Sequence, residues 1–86
     1  MQFEGAVIKE QGITFAIAVV KPGVLDYSAT REKTRQGFKR YFPGMPIILM
    51  AQNGRGMPTY HGRNDIVRFL ANIDIRRIPW KRYTAN

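Results

Sequence analysis

Most side chains that could act chemically in this chain are cations, and their spacing favours binding over catalysis. Two clusters stand out: Arg31, Arg35 and Lys39, and Arg76, Arg77, Lys81 and Arg82. The members of the first recur every four residues, so a helix would place them in one stripe. Trp80 and Tyr83 are interleaved with the second cluster. Cations mixed with aromatic rings are suited to phosphate contact combined with base stacking.

A glycine-rich loop is the second candidate site. Asn53-Gly54-Arg55-Gly56 and Gly62-Arg63-Asn64 lead towards a predicted helix. Backbone N–H groups at a helix N-terminus favour an anion, and Arg55 and Arg63 would add charge. The spacing matches neither the P-loop nor the dinucleotide fingerprint, and Asp65 would repel a phosphate. A tight turn that requires glycine is the simpler interpretation.

Catalytic residues have little support. His61 is the only histidine and Ser28 the only serine, and nothing in the sequence places them together. A catalytic histidine needs an orienting partner and a nucleophile or substrate. The carboxylates are scattered, without the spacing of a dyad or of a zinc site. We therefore expect no catalytic residue, metal or cofactor, and an enzyme that uses the Gly54–Arg63 loop is only a third possibility.

The charge balance points to the class of partner. The net charge of +8 and the isoelectric point of about 10.5 favour a polyanion. Nucleic acid comes first, and an acidic protein or a membrane surface second. A basic surface that serves only solubility is the alternative. The absence of cysteine excludes disulfides, thiolate metal sites, iron–sulfur clusters and thiol nucleophiles.

Length and hydropathy predict one globular domain over residues 1–86, with its last few residues frayed. The apolar fraction of 44% is typical of a folded chain with a modest core. No apolar run is long enough to span a membrane, and the first residues lack the pattern of a secretory signal. We expect a cytoplasmic protein without membrane contact.

The elements predict an α/β fold with a small mixed sheet of about four strands and two helices. A hairpin over residues 2–20 comes first, with its second strand central. A helix over about Ser28–Tyr41 follows, capped by Ser28 or Asp26. A buried strand, a loop with one short strand, a second helix and a C-terminal edge strand or tail complete the order.

The two helices have different predicted faces. In the first, Thr30, Thr34, Phe38 and Tyr41 would point inward, Gly37 would allow close approach, and the cations, Arg31 and Arg35 included, would point outward. In the second, Ile66, Phe69, Leu70 and Ile73 share one face, and Asn64 is the expected N-cap.

The segment PIILMAQNGRGMPTYHGRNDIVRFLANI, residues 46–73, resembles the strand–strand–helix end of thioredoxin-like proteins. In that family a glycine follows a short second strand and opens the last helix. The resemblance covers about a third of the chain. The hairpin at the front departs from the family pattern, and the redox cysteine pair is absent, so thiol–disulfide chemistry is excluded.

The leading hypothesis is a small non-catalytic protein that binds a polyanion such as nucleic acid. Its expected contacts are Arg31, Arg35, Lys39, Arg55, Arg63, Arg76, Arg77 and Arg82. The alternative is a protein-interaction or homo-oligomerisation module, for which an open sheet edge would be suited.

Overall fold

Among the residues that the structure describes, a single mixed sheet of five strands lies at the centre. The computed structural model describes residues 2–10 and 12–84. The strands are β1 (Gln2–Glu10), β2 (Ile13–Val19), β3 (Ile47–Gln52), β4 (Pro58–His61) and β5 (Lys81–Thr84). Their order in the sheet is β4-β3-β2-β1-β5. β2 and β3 are parallel, and the other neighbours are antiparallel.

Two helices connect and cover these strands. Helix α1 (Ser28–Phe38) makes the crossover between the parallel strands β2 and β3, after a 3₁₀ turn at Pro22–Asp26. Helix α2 (Asn64–Ala71) follows β4, and a second 3₁₀ turn, Ile75–Arg77, leads to β5. The predicted α/β class is therefore confirmed, with five strands instead of about four. The tail is an edge strand that pairs with the first half of β1.

The core has two layers because both faces of the sheet are covered. On the α1 side it consists of Phe3, Ala16, Ala18, Phe38, Phe42, Ile47 and Leu49. On the α2 side it consists of Ala6, Phe15, Ile17, Ile48, Met50, Ile66, Leu70 and Ile78. Successive residues of β2 and β3 thus point to opposite layers, and an unbroken apolar run is what such strands require. The predicted apolar face of α2 is confirmed, since Phe69 and Ile73 also pack on this second layer.

Helix α1 differs from its prediction. It ends at Phe38 instead of near Tyr41, and its N-cap, Tyr27, makes no side-chain hydrogen bond. Thr30 is exposed, and no atom lies within 4 Å of the position that a Cβ would take at Gly37. The expected inward Thr30 and close approach at Gly37 are therefore wrong.

The remaining ends of the elements also differ in detail. The N-cap of α2 is Arg63, not Asn64, and it makes no side-chain capping bond. Thr84 pairs with Gln2 in the sheet, while the rest of the expected frayed end, residues 85 and 86, lies outside the described residues. Within residues 2–10 and 12–84, neither helix has the length and apolar character needed to cross a bilayer.

Candidate functional site

A groove of about 570 Å³ lies between α1, the start of β3 and the chain that leads from β4 into α2. Its lining is Ser28, Arg31, Glu32, Arg35, Pro46, Ile47, His61, Gly62 and Arg63. The groove, called the arginine groove below, thus brings together three guanidinium groups, one carboxylate, the only histidine and the only serine.

Arg35 holds this arrangement together. Its Nε donates to the carbonyl of Ile47 at 3.1 Å, and one amino group donates to the carbonyl of His61 at 3.1 Å. The same amino group lies 2.7 Å from Nδ1 of His61, and the other pairs with Glu32. A single side chain therefore links α1 to β3 and β4. Its guanidinium has five N–H donors, and these four contacts leave few of them free.

The contact with Arg35 determines the tautomer of His61. A guanidinium has donors and no acceptor, so Nδ1 must accept this hydrogen bond. The neutral imidazole then carries its proton on Nε2, and His61 offers an N–H donor there. A ring fixed in this way is not a base at Nε2, which a serine nucleophile would need.

The surroundings of His61 also disfavour its charged form. Desolvation lowers the pKa of His61 below its ordinary value, and the charges of Arg31 and Arg35 lower it further. Glu32 opposes these effects without reversing them. His61 is therefore a neutral donor at pH 7, set among permanent cations.

The other two arginines approach the groove from its two walls. Arg31 lies one helical turn before Arg35, and its Nη1 donates to the carbonyl of Leu25 at 2.8 Å. Arg63 immediately precedes α2, and its Nε bonds Asp65 at 2.8 Å. Both side chains line the groove and keep further N–H donors beyond these bonds.

Asp65 remains charged beside Arg63. Desolvation tends to raise the pKa of Asp65, but the hydrogen bond and charge of Arg63, together with backbone donors, lower it below its ordinary value. This carboxylate partly neutralises one wall of the groove. The expected repulsion of a phosphate by Asp65 is thus reduced, because Asp65 already has a cationic partner.

Gly62 allows the chain to pass close to β3. A Cβ at this position would lie 2.5 Å from Cδ1 of Ile48 and 3.2 Å from the carbonyl oxygen of Ile47. Ile48 is fully buried, so its side chain has little room to move. The glycine is therefore required by close packing, and this packing places His61 and Arg63 at the mouth of the groove.

The arrangement is suited to an anion. Nε2 of His61 and the unused N–H groups of Arg31 and Arg63 are donors, and the hydroxyl of Ser28 can donate as well. A Ser–His–acid triad is not formed, because Nδ1 of His61 contacts Arg35 and Glu32 pairs with that same arginine. In the part of the chain that the structure describes, no group of three or more possible metal ligands occurs.

The structure divides the eight arginines and lysines expected to bind. Arg31, Arg35 and Arg63 meet in the groove, but the expected outward direction of Arg31 and Arg35 is wrong. The side chain of Arg35 is only 15% exposed. Lys39 is exposed just beyond α1, outside the groove lining.

The remaining four predicted contacts lie elsewhere. Arg55 is at the turn between β3 and β4, roughly 15 Å along the strands from the groove. Arg76 bonds Asp74 at 2.7 Å, which lowers the pKa of Asp74 to about 2. Arg82, on the far edge of the sheet, is 3.6 Å from Glu4. Arg77 lines a separate groove beside β1.

The two halves of the glycine-rich loop have different roles. The side chain of Asn53 accepts from the backbone N–H groups of Arg55 and Met57, at 2.9 and 3.0 Å. Gly56 has φ of +77°, which favours glycine. This half is the tight turn that the sequence indicated, while the Gly62–Arg63 half lines the arginine groove.

Trp80 is not part of the arginine groove. Its Nε1 donates to the carbonyl of Ile75 at 2.9 Å, and its half-buried ring packs on the α2 layer of the core. Trp80 is therefore a packing residue, although the sequence interleaves it with the second cation cluster.

Sequence reasoning missed the meeting of Ser28, Glu32 and His61. Arg35 and His61 are 26 positions apart, and no local spacing connects them. The one usable signal was the inner face predicted for α1, which is only weakly apolar because it includes Thr30 and Thr34. Such a face is compatible with arginines on the same side of the helix.

Comparison with protein-family models, with curated proteins and with solved structures gave no match.

Proposed function

We propose that the protein is a non-catalytic binding protein, and that its arginine groove takes a phosphate group of a nucleotide or of the end of a nucleic-acid strand. The observation that supports this most is the contact between Arg35 and Nδ1 of His61. It turns the histidine into a fixed donor beside two further guanidinium groups, and only an acceptor-rich ligand uses such a set.

Within this site the residues have distinct roles. Arg31, Arg63 and Nε2 of His61 would contact the phosphate oxygens, and the hydroxyl of Ser28 lies in the same lining. Arg35 is a positioning residue, because most of its donors already bond Glu32, His61 and Ile47. Its charge still contributes to the positive potential of the groove.

The distribution of charge favours a compact phosphate over a run of internal ones. A long polyanion needs cations spaced along a track. Here the cations of the groove converge instead. Arg55, Arg76 and Arg82 lie elsewhere on the surface, and Arg76 and Arg82 have acidic neighbours. A terminal phosphate, with its extra charge, makes better use of converging donors than a diester does.

The test compares two oligonucleotides that differ only in a 5′-phosphate. We expect inorganic phosphate and the phosphorylated strand to shift the amide resonances of His61, Gly62 and Arg63, and the unphosphorylated strand to bind at least about tenfold more weakly. Arg31→Gln with Arg63→Gln should remove this preference, while Arg55→Gln, an exposed residue outside the groove, should retain it.

Three results would contradict the proposal. One is equal binding of both strands, which would indicate a diffuse electrostatic surface. Another is unchanged affinity in the Arg31/Arg63 double variant. The third is no binding of either strand at low salt, where phosphate contacts are strongest. That result would favour the interpretation that the basic surface serves only solubility.

A further inference from the structure

The edge of β1 is only half covered. β5 pairs with Gln2–Gly5 and goes no further along this strand. On the side away from β2, the backbone groups of Ala6–Glu10 have no partner among residues 2–10 and 12–84. This surface lies at the opposite end of the sheet from the arginine groove, and it goes beyond the proposed function.

The local chain explains why the edge is open. If β5 extended backwards in line, residues 76–80 would pair with the open half of β1. Instead the N–H of Trp80 bonds the carbonyl of Ile78 at 2.8 Å, across Pro79, and this tight turn directs the chain away. Proline also lacks the N–H that a ladder position would need. A five-residue slot is left where another strand would fit.

The slot has an apolar wall. A groove of about 400 Å³ runs beside the open edge, and its lining is Val7, Ile8, Lys9, Glu10, Phe69, Ile73, Arg77, Ile78 and Pro79. Val7, which belongs to this lining, is 41% exposed. A strand added here would gain backbone hydrogen bonds from β1 and could place alternate side chains against Phe69 and Ile73.

We propose that this half-open edge binds an extended segment of an acidic protein by strand addition. Exposed Lys9 and Arg77 border the slot against the single carboxylate of Glu10, and the whole chain carries +8. The segment would present apolar side chains to the α2 side and carboxylates to Lys9 and Arg77. Backbone pairing supplies the affinity, and the charges select an acidic partner.

A second copy of the chain is less well suited to this slot. Antiparallel self-pairing over Ala6–Glu10 would be centred on Ile8, with Lys9 opposite Val7 and Glu10 opposite Ala6. That register forms no directly opposed ion pair. It would also bring together two chains of +8 each. The charges therefore favour a partner of opposite sign.

The probe is a capped seven-residue peptide with valine at alternate positions and aspartate at the others. One control peptide has lysine in place of aspartate, and another is N-methylated on one edge to block strand pairing. Each titration is monitored by the amide resonances of the full chain. Lys9→Glu with Arg77→Glu is the test variant, and Lys33→Glu with Arg68→Glu is the matched control, exposed and outside the slot.

We expect the acidic peptide to shift and protect the amides of Ala6–Glu10, with His61 unaffected. The test variant should bind it at least roughly fivefold more weakly, since two rim ion pairs are lost, and the control variant less than about twofold. Neither control peptide should bind as tightly as the acidic peptide. This comparison uses the wild-type chain, so it remains valid even if the test variant folds poorly.

Several outcomes would overturn the proposal. Shifts confined to the arginine groove would show that the peptide is only an anion there, and no shifts at all would show that the edge does not bind it. Equal binding of the N-methylated peptide would rule out strand addition. If light scattering shows a dimer and the amides of Ala6–Glu10 are protected from hydrogen exchange without peptide, a second copy occupies the slot. None of these depends on the phosphate titration, so the two proposals can fail separately.

Discussion

Arg35 of α1 lies 2.7 Å from Nδ1 of His61, at the end of β4, and this contact both positions and polarises the histidine. The side chain of Arg35 also bonds the carbonyls of Ile47 and His61. The same residue thus serves stability, by joining a helix to the sheet, and the candidate site, by fixing the proton of the imidazole on Nε2.

Arg35→Ala should lower the free energy of unfolding by about 3 kcal/mol, because two backbone carbonyls lose a charged donor in a largely buried setting. Urea denaturation measures this. Lys39→Ala, on an exposed side chain just after the same helix, should change it by less than about 0.5 kcal/mol. Similar losses in the two variants would show that the bonds of Arg35 contribute little.

The stability should depend on pH through His61. Its folded-state pKa is lowered from 6.5, so the unfolded chain takes up the proton first as pH falls. The contribution of His61 to stability is therefore fully present above about pH 6.5. It is lost as pH falls from there towards the folded-state pKa. Asp74, with a pKa of about 2, does not titrate in this window.

The measurement is the urea midpoint at about pH 7.5 and about pH 5.5, a range in which His is the side chain that ordinarily titrates. We expect a lower midpoint at the acidic value for the wild-type chain. His61→Gln, which retains an acceptor for Arg35, should show a smaller change. An equal pH dependence in both proteins would assign the effect to other groups.

Asp65→Asn should strengthen phosphate binding by about two- to fivefold, because Arg63 would lose its carboxylate partner and the groove would gain one unit of positive charge. Calorimetric titration with inorganic phosphate measures this. Asp74→Asn is the matched control, since it frees Arg76 outside the groove. Weaker binding in Asp65→Asn would mean that the carboxylate orients Arg63 for the ligand.

Gly62→Ala should destabilise the fold by about 1–3 kcal/mol, because the added methyl group would overlap Cδ1 of buried Ile48. It should also shift the amide resonances of His61 and Arg63. Gly37→Ala, on an exposed position of α1 with no atom near the new Cβ, should instead stabilise the helix by about 0.5 kcal/mol. Thermal unfolding of both variants measures these changes. An unchanged stability of Gly62→Ala would contradict this packing account.

Local periodicity accounts for the parts of the fold that were predictable. The apolar run of β3, the alternation of the hairpin and the i, i+3, i+4, i+7 pattern of α2 each specify an element and the face that it buries. These patterns are properties of neighbouring residues, so the sequence alone established the α/β class, both helices and the tight turn at Asn53–Met57.

The site was decided by tertiary structure. The four-residue spacing of Arg31 and Arg35 showed that they share a helix face, but not which way that face points. It points towards the sheet because Leu25, Ile47 and His61 offer carbonyl acceptors there, which makes partial burial of a guanidinium tolerable. Those acceptors become neighbours only when β3 and β4 pair and the chain crosses at Gly62. The sequence by itself therefore determined the charge, the elements and their buried faces, while folding alone decided which cations converge on one groove.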